Sequence, residues 1–196
     1  MSVVYGCDPG LKNCAFVKLV LMENKFSIES IDLIDISRNI QNFRNYYRMN
    51  MLEEGDVYIE YQYSHGKTKD MSHHIHGYLT AMMPSIRVHL KQSRSKFDVA
   101  AELKLMPENP GDLKVYKNRK VCSEFILKQI LDKLGDKNTS HLDLNMKKKD
   151  DVADALLYAL WAAKDRDPNV LKCIGPDDIV EKMKPLKEEK RIHISI

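Results

Sequence analysis

The sequence predicts a single α/β domain, in which a central five-stranded mixed sheet is flanked by helices. The order of the elements is the first reason: three consecutive strand-like segments open the chain, and helices then alternate with strands. The length is the second reason, because 196 residues fit one domain with a substantial core.

Runs of apolar and β-branched residues, bounded by turn-forming residues, predict the strands. These strands cover residues 3–7, 14–22, 26–36, 57–61 and 86–90. Apolar residues at helical spacing predict helices over 39–52, 67–83, 120–134 and 149–164. The stretch that follows the fifth strand, with Pro107, Pro110 and Gly111 as breakers, is predicted to be a loop. Residues 1–165 are expected to form the domain, and residues 166–196 a C-terminal extension that packs on it or trails from it.

The composition favours an intracellular protein that binds a polyanion. Four cysteines are scattered without a C-x-x-C pair, no apolar run is long enough to span a bilayer, and the N-terminus lacks a signal peptide's cationic flank. The net charge is only +3, but the basic residues are bunched, which suits a nucleic acid. The clusters are Lys114, Lys117, Arg119 and Lys120; Lys147, Lys148 and Lys149; and the stretch 182–191. For any one cluster, a solvated surface is the alternative.

The first unusual acid is Asp8, in the stretch "YGCDPG" at the end of the first strand. A carboxylate held there is partly desolvated, which costs free energy unless a cation or hydrogen-bond donors meet it. The alternative is structural, because Asp commonly caps a turn such as Pro9-Gly10.

The second unusual acid is Glu60, inside the strand "DVYIEYQY". Side chains alternate along a strand, so Val57 and Ile59 share one face and Glu60 lies on the other. A central strand covered by helices on both faces rarely carries a carboxylate. The alternative is an edge strand with its polar face in water.

The third unusual group lies in "KKKDDVADALLYALWAA", where Asp150, Asp151 and Asp154 begin a helix that is otherwise almost wholly apolar. Asp154 shares a helix face with both of the others, at spacings of three and four. The helix dipole favours acids in the first turn, which explains Asp150. It does not explain Asp154, one turn further in, and this residue therefore needs a partner.

These acids can converge if the first and fourth strands are neighbours and the last helix packs on them. Carboxylates packed together cannot all ionise without counter-charge. Mg²⁺ or Mn²⁺ supplies such charge, because hard cations prefer oxygen ligands. The sequence therefore predicts a metal site formed by Asp8, Glu60, Asp151 and Asp154.

The stretches "YGCDPGLKNCAF", "VYIEYQY" and "KKDDVADALLYALW" together resemble the RuvC family of Holliday junction resolvases, and its poxvirus-type branch in large DNA viruses above all. The resemblance covers about residues 1–165. It implies a ribonuclease H-like fold and a homodimeric endonuclease that makes paired nicks in four-way DNA junctions, in DNA recombination and resolution of replicated viral genomes. Two Mg²⁺ ions per site are implied, for which Mn²⁺ can substitute. Neither a membrane nor a small-molecule cofactor is expected.

Carried over to this chain, the resemblance assigns metal binding to Asp8, Glu60, Asp151 and Asp154. It also implies a catalytic lysine near the start of the preceding helix, where Lys120 fits first and Lys117 second. The helix that carries Tyr78, Leu79 and Met82 would lie at the dimer interface. DNA contacts are expected from Lys114, Lys117, Arg119, Lys120, Lys147, Lys148 and Lys149. If the protein is viral, the host cytoplasm at sites of viral DNA replication, or the virion, is the expected location.

Two other functions remain open from the sequence alone. A ribonuclease H-like nuclease could act on another substrate, such as an RNA–DNA hybrid or a flap. A DNA-binding module could keep the same fold without catalysis, although the full set of acids argues against that.

Overall fold

The structure is a computed structural model, and it describes residues 1–10, 12–36, 41–50, 53–61, 67–93, 96–135 and 149–175. The strands are β1 (Ser2–Pro9), β2 (Cys14–Met22), β3 (Lys25–Ile34), β4 (Gly55–Tyr61) and β5 (Ile86–Gln92). The helices are α1 (Gln41–Asn50), α2 (Lys67–Met82), α3 (Lys96–Glu102), α4 (Tyr116–Leu134) and α5 (Lys149–Arg166), followed by a 3₁₀ turn at Pro168–Cys173.

The strands form one five-stranded sheet in the order β3-β2-β1-β4-β5. Strands β1, β2 and β3 pair antiparallel, whereas β4 runs parallel to both β1 and β5. The prediction of a mixed sheet flanked by helices is therefore confirmed. Because β1 and β4 are parallel neighbours, their carboxyl ends lie side by side, and these are the ends that carry Asp8 and Glu60.

Two apolar cores cover the two faces of the sheet, and alternation along each strand decides which core a side chain joins. On β1, Val4 packs into the core beneath α3, α4 and α5, while its neighbours Val3 and Tyr5 pack into the core beneath α1 and α2. On β4, Tyr58 joins the first core and Ile59 the second. Side chains an even number of residues further along, Asp8 on β1 and Glu60 on β4, therefore face α5 at the carboxyl end.

Helix α5 lies directly against β1, and Gly6 makes this close approach possible. A Cβ atom on Gly6 would lie 1.9 Å from the carbonyl oxygen of Ala155 and 2.4 Å from the amide nitrogen of Ala159. Both atoms belong to helix backbone, which cannot move aside as a flexible side chain can. The small residues at the contact thus set the distance between the helix and the strand.

Apart from shifts of a few residues in other bounds, three differences between the structure and the sequence prediction concern the site. Helix α3 occupies part of the predicted loop, because Phe97, Val99 and Ala100 bury an apolar face although the helix has only seven residues. Helix α4 begins at Tyr116, earlier than the predicted start at residue 120. The prediction missed its first turn because these residues are mostly polar and give no apolar periodicity. Strand β1 continues to Pro9, so that Asp8 lies within the strand.

The C-terminal segment begins as part of the folded core. Val170, Leu171 and Ile174, in and just after the 3₁₀ turn, are buried in the core that α5 shares. Residues 176–196 of the predicted extension lie outside the described residues. Among the described helices, none combines the length and apolar character that a membrane-spanning segment requires.

Replacing Gly6 with Ala should destabilise the fold, because the new methyl group would overlap the backbone of α5. Overpacking of this kind costs about 1–3 kcal/mol. Gly77→Ala is the matched control: Gly77 lies within α2 with nothing within 4 Å of its Cβ position, so Ala should stabilise by about 0.5–1 kcal/mol. Chemical denaturation measures both, and equal stability of Gly6→Ala and wild type would contradict the close approach.

Candidate active site

Three carboxylates meet at the carboxyl end of the sheet. Each of Asp8 (β1), Glu60 (β4) and Asp154 (α5) offers an oxygen within 4.8 Å of the others. Asp8 is 8% exposed and Glu60 7% exposed, and Asp154 is partly buried. Strand alternation explains why these acids converge. Asp8 and Glu60 lie an even number of residues from Val4 and Tyr58 on the same strands, so they share the face that packs against α5.

The structure decides between the alternatives that the sequence leaves open for two of these acids. The Pro9-Gly10 turn is closed by backbone, since the Gly10 amide donates to the Asp8 carbonyl oxygen at 2.9 Å. The Asp8 carboxylate instead belongs to the acid group. Strand β4 lies between β1 and β5, so the interpretation of Glu60 as an edge-strand residue is wrong.

Burial and mutual repulsion raise the pKa of both strand acids. Desolvation is the largest cause for Asp8, and the charges of Glu60 and Asp154 raise its pKa further. Desolvation is also the largest cause for Glu60, and the Lys96 ammonium partly opposes it. A compact group of acids with raised pKa values is a site prepared for positive charge.

Asp154 is held by partners from two other helices. The Ser123 hydroxyl on α4 donates to Asp154 Oδ1 at 2.6 Å. The Lys96 ammonium on α3 lies 2.5 Å from Asp154 Oδ2 and 3.5 Å from Glu60 Oε2. Burial alone would lower the pKa of Lys96, but the surrounding carboxylates, Asp154 above all, raise it, and the lysine is therefore charged.

The three acids fit a divalent metal ion. Their donor atoms are all carboxylate oxygens, come from three different elements and lie close enough to share a cation. Such ligands suit hard cations such as Mg²⁺ or Mn²⁺. Among the described residues, no other group of His, Cys, Asp or Glu side chains meets the same geometric condition.

The two remaining acids of α5 differ in their surroundings. Asp151 is partly exposed, and its charge contributes to the raised pKa of Asp8, so it borders the triad without belonging to it. Asp150 is buried and lies 2.5 Å from the ammonium of Lys120 on α4. This contact raises the pKa of Lys120, which lies three residues before Ser123 on α4.

Residues 2–166 match the family of the poxvirus A22 protein. The chain belongs to this family. The match spans most of the chain and ends within one residue of the predicted domain boundary, and it confirms the predicted relationship to poxvirus-type proteins. No curated protein sequence matches the chain.

Solved structures with similar folds come from a virus and from yeast. The fowlpox virus Holliday junction resolvase is 19% identical to the present chain, with a TM-score of 0.59. The match covers 81% of the present chain and 96% of the fowlpox chain. The structure of the fowlpox resolvase with substrate Holliday junction DNA gives a TM-score of 0.60, also at 19% identity. This match covers 81% of the present chain and 95% of the fowlpox chain. The yeast mitochondrial Holliday junction resolvase is 17% identical, with a TM-score of 0.56. This match covers 88% of the present chain and 85% of the yeast chain. This likeness confirms the predicted ribonuclease H-like fold.

The predicted DNA-binding residues lie in different surroundings. Lys114 and Lys117 are exposed near the start of α4, and Lys149 is exposed at the start of α5. Arg119 donates to the carbonyl oxygens of Leu113 and Lys114. The neighbouring Lys147 and Lys148 lie outside the described residues, as does the basic stretch 182–191.

The structure corrects one residue of the predicted dimer interface. Leu79 is 0% exposed in the core beneath α2, so its side chain has no surface to offer to a second chain. Tyr78 is partly buried and packs edge-on against Tyr47, with ring centroids 5.6 Å apart. Met82 is 53% exposed and remains available for such a contact.

Sequence reasoning missed Lys96 and Ser123, the two side chains that hold Asp154. Lys96 lies in "QSRSKFDVAAEL", within the stretch that was expected to be a loop. The spacing of Phe97, Ala100 and Leu103 could have indicated a helix there. Nothing in the sequence pattern indicates that the lysine points inward, because this depends on how α3 docks against β4 and α5.

Strand β4 carries another buried acid, Asp56, at the end away from Glu60, and this acid is well paired. Arg87 donates to both of its carboxylate oxygens at 2.7 Å, and Arg166 at the end of α5 donates at 2.8 Å. His89 Nε2 lies 3.2 Å from Asp56 Oδ1. Although burial opposes the effect, the hydrogen bonds from His89, Arg87 and Arg166 lower the pKa of Asp56.

Asp8→Asn and Asp56→Asn should therefore change stability in opposite directions when measured in EDTA. The pKa of Asp8 is raised in the folded state, so its ionisation destabilises the fold as the pH rises above the unfolded value of about 3.9. Asp8→Asn should raise the free energy of unfolding at neutral pH, and the gain should shrink towards about pH 4.

The pKa of Asp56 is lowered, so its contribution is present above that pH and is lost as the pH falls. Asp56→Asn should cost about 1.5–3 kcal/mol at neutral pH, as hydrogen bonds to charged groups do. Urea unfolding at several pH values measures both variants. A loss of stability in Asp8→Asn at neutral pH would contradict the repulsive acid group.

Proposed function

We propose that this protein is a metal-dependent endonuclease that resolves four-way DNA junctions, acting as a homodimer with one active site per chain. The observation that carries the proposal is the convergence of Asp8, Glu60 and Asp154 within 4.8 Å at the carboxyl end of the sheet. The substrate comes from the relatives: the fowlpox virus protein is a Holliday junction resolvase, solved with substrate Holliday junction DNA.

Two Mg²⁺ ions are proposed for each site, and Mn²⁺ is proposed to substitute. When bound, such a pair supplies an activated water and stabilises the leaving oxygen of a phosphodiester during in-line displacement. Asp8, Glu60 and Asp154 would hold the ions, and Asp151 would add charge at the side of Asp8. Ser123 would keep the Asp154 carboxylate in a fixed orientation through the 2.6 Å hydrogen bond.

Lys120 is proposed as the catalytic lysine, ahead of Lys117. Its ammonium contacts Asp150 at 2.5 Å, and Asp150 directly precedes Asp151 at the edge of the acid group. Lys117 is exposed one turn earlier, which suits a contact to the DNA backbone beside the scissile phosphate. Lys114 and Lys149 would extend this positive surface.

Replacing any of the three central acids with its amide should abolish junction cleavage and preserve or strengthen junction binding. Asp8→Asn, Glu60→Gln and Asp154→Asn each remove a metal ligand, yet each also removes negative charge near the phosphates. Cleavage of a synthetic four-way junction with Mg²⁺ and a gel-shift assay without it measure the two effects. A linear duplex and an RNA–DNA hybrid are tested separately as alternative substrates for comparison.

The matched control is Asp165→Asn, an acid on the same helix that pairs with Tyr58 and Lys91 away from the site. This variant should cleave at close to the wild-type rate. Cleavage by Asp8→Asn near the wild-type rate would show that the metal site is wrongly assigned. Preference for the RNA–DNA hybrid would instead favour the ribonuclease alternative.

The dimer is proposed because a four-way junction is approximately two-fold symmetric, and its resolution needs two nicks. A closed two-fold dimer presents two copies of one site at once. The exposed part of α2, with Met82 and the accessible edge of Tyr78, is the proposed contact surface.

Met82→Glu should weaken the dimer and uncouple the two nicks, because it places a charge in the proposed apolar contact. Sedimentation at micromolar concentration measures assembly. A supercoiled plasmid with an extruded cruciform measures coupling, since coordinated cutting gives linear product and independent cutting gives nicked circles first. Thr80→Glu, an exposed residue on the opposite side of α2, is the control. A wild-type monomer with persistent nicked circles would contradict the proposal.

A further inference from the structure

Lys96 is an unusual residue because a lysine ammonium is almost completely enclosed inside the acid group. The residue is 3% exposed. Its Nζ lies 5.5 Å from the centre of the Phe97 ring and 5.6 Å from that of Tyr158, so aromatic side chains replace much of its water. A charge in such surroundings costs free energy unless carboxylates compensate it, and here Asp154 and Glu60 do so.

Lys96 contacts two of the three carboxylates that a divalent cation would use. Asp154 has two carboxylate oxygens, and the Ser123 hydroxyl already occupies Oδ1. The Lys96 ammonium lies on the other oxygen, Oδ2, and also approaches Glu60 Oε2. Both acids belong to the triad that fits a metal ion. An ammonium and a divalent cation would therefore share the negative charge of the same two carboxylates.

We propose that Lys96 is a built-in counter-ion that competes with the divalent cation for Asp154 and Glu60, and so sets how tightly this site binds metal. The inference rests on the proposed function, since it requires that the acid group binds a divalent cation. It makes Lys96 a positioning residue, which acts on the carboxylates and not on the DNA.

Two consequences follow from this arrangement. Before a metal ion binds, the ammonium reduces the repulsion among the acids and keeps Asp154 directed towards Glu60. When a metal ion binds, it must displace the ammonium from Oδ2 or bind beside a positive charge. Both alternatives weaken metal binding, because like charges repel strongly in a poorly hydrated site.

Lys96→Met tests the proposal, because Met has similar length and no charge. Isothermal titration calorimetry with Mg²⁺ and Mn²⁺, on full-length protein dialysed against a chelator, should show metal binding at least about tenfold tighter than wild type. Without metal, the variant should have a lower melting temperature than wild type. In Mg²⁺ or Mn²⁺ its melting temperature should rise more than that of wild type, since stabilisation by a ligand increases with affinity.

Two control variants separate competition from a general loss of packing. Lys96→Arg keeps the charge and should bind metal within about threefold of wild type. Lys164→Met removes a lysine that pairs with Glu102 at the other end of α3, and thus breaks a second ion pair between α3 and α5. Its metal affinity should equal that of wild type, even if its melting temperature falls.

The outcomes are distinct. Metal binding by Lys96→Met that is equal to or weaker than that of wild type, while wild type itself binds metal, overturns this inference alone. A wild-type protein that binds neither metal overturns the proposed metal site, and this inference with it. If Lys96→Met is unfolded in chelator, refolding at a Mn²⁺ concentration below that which half-saturates wild type supports competition, whereas failure to refold at saturating Mn²⁺ overturns it.

Discussion

The contact between the backbone of α5 and strand β1 at Gly6 is the constraint on which the active-site geometry depends. A helix usually stands away from a sheet by the length of the side chains between them, but here Gly6 faces the helix backbone around Ala155 and Ala159. The first turn of the helix carries Asp150 and Asp151, and Asp154 lies in its next turn. Because the helix lies this close, Asp154 meets acids on two different strands. A larger residue at Gly6 would move the helix and separate the ligands.

The acid group is unfavourable for the fold on its own, and other contacts compensate for it. At one end of β4, Glu60 lies among carboxylates with a raised pKa, while at the other end Asp56 is bound by Arg87 and Arg166 and has a lowered pKa. Arg166 is the last residue of α5. The same helix is thus held to β4 by attraction at its C-terminal end, and this helps to keep the repelling carboxylates together at its N-terminal end.

Much of the fold and most of the acid group could be predicted from the sequence, for identifiable physical reasons. Five strands follow from apolar runs, and the inward direction of Glu60 follows from strict alternation along "VYIEY". Asp154 was indicated because a carboxylate one turn inside an apolar helix requires a partner. Lys96 and Ser123 could not be predicted, because their roles depend on the docking of α3 and α4. Leu79 was placed at a dimer surface by the family resemblance, and helical spacing alone does not say which side of α2 meets the sheet.

The position of Lys96 also explains why the acid group can exist within a folded chain before any metal ion arrives. Asp8 and Glu60 have raised pKa values, so without nearby positive charge they would tend to take up protons or move apart. The ammonium at 2.5 Å from Asp154 opposes both tendencies and carries its own charge throughout the neutral range. As proposed above, the carboxylates of such a site need little rearrangement when a cation binds, but the cation must displace the ammonium or bind beside it, which lowers its affinity. Under the proposed function, weaker metal binding by the protein alone leaves part of the attraction for the cation to the phosphates of the DNA.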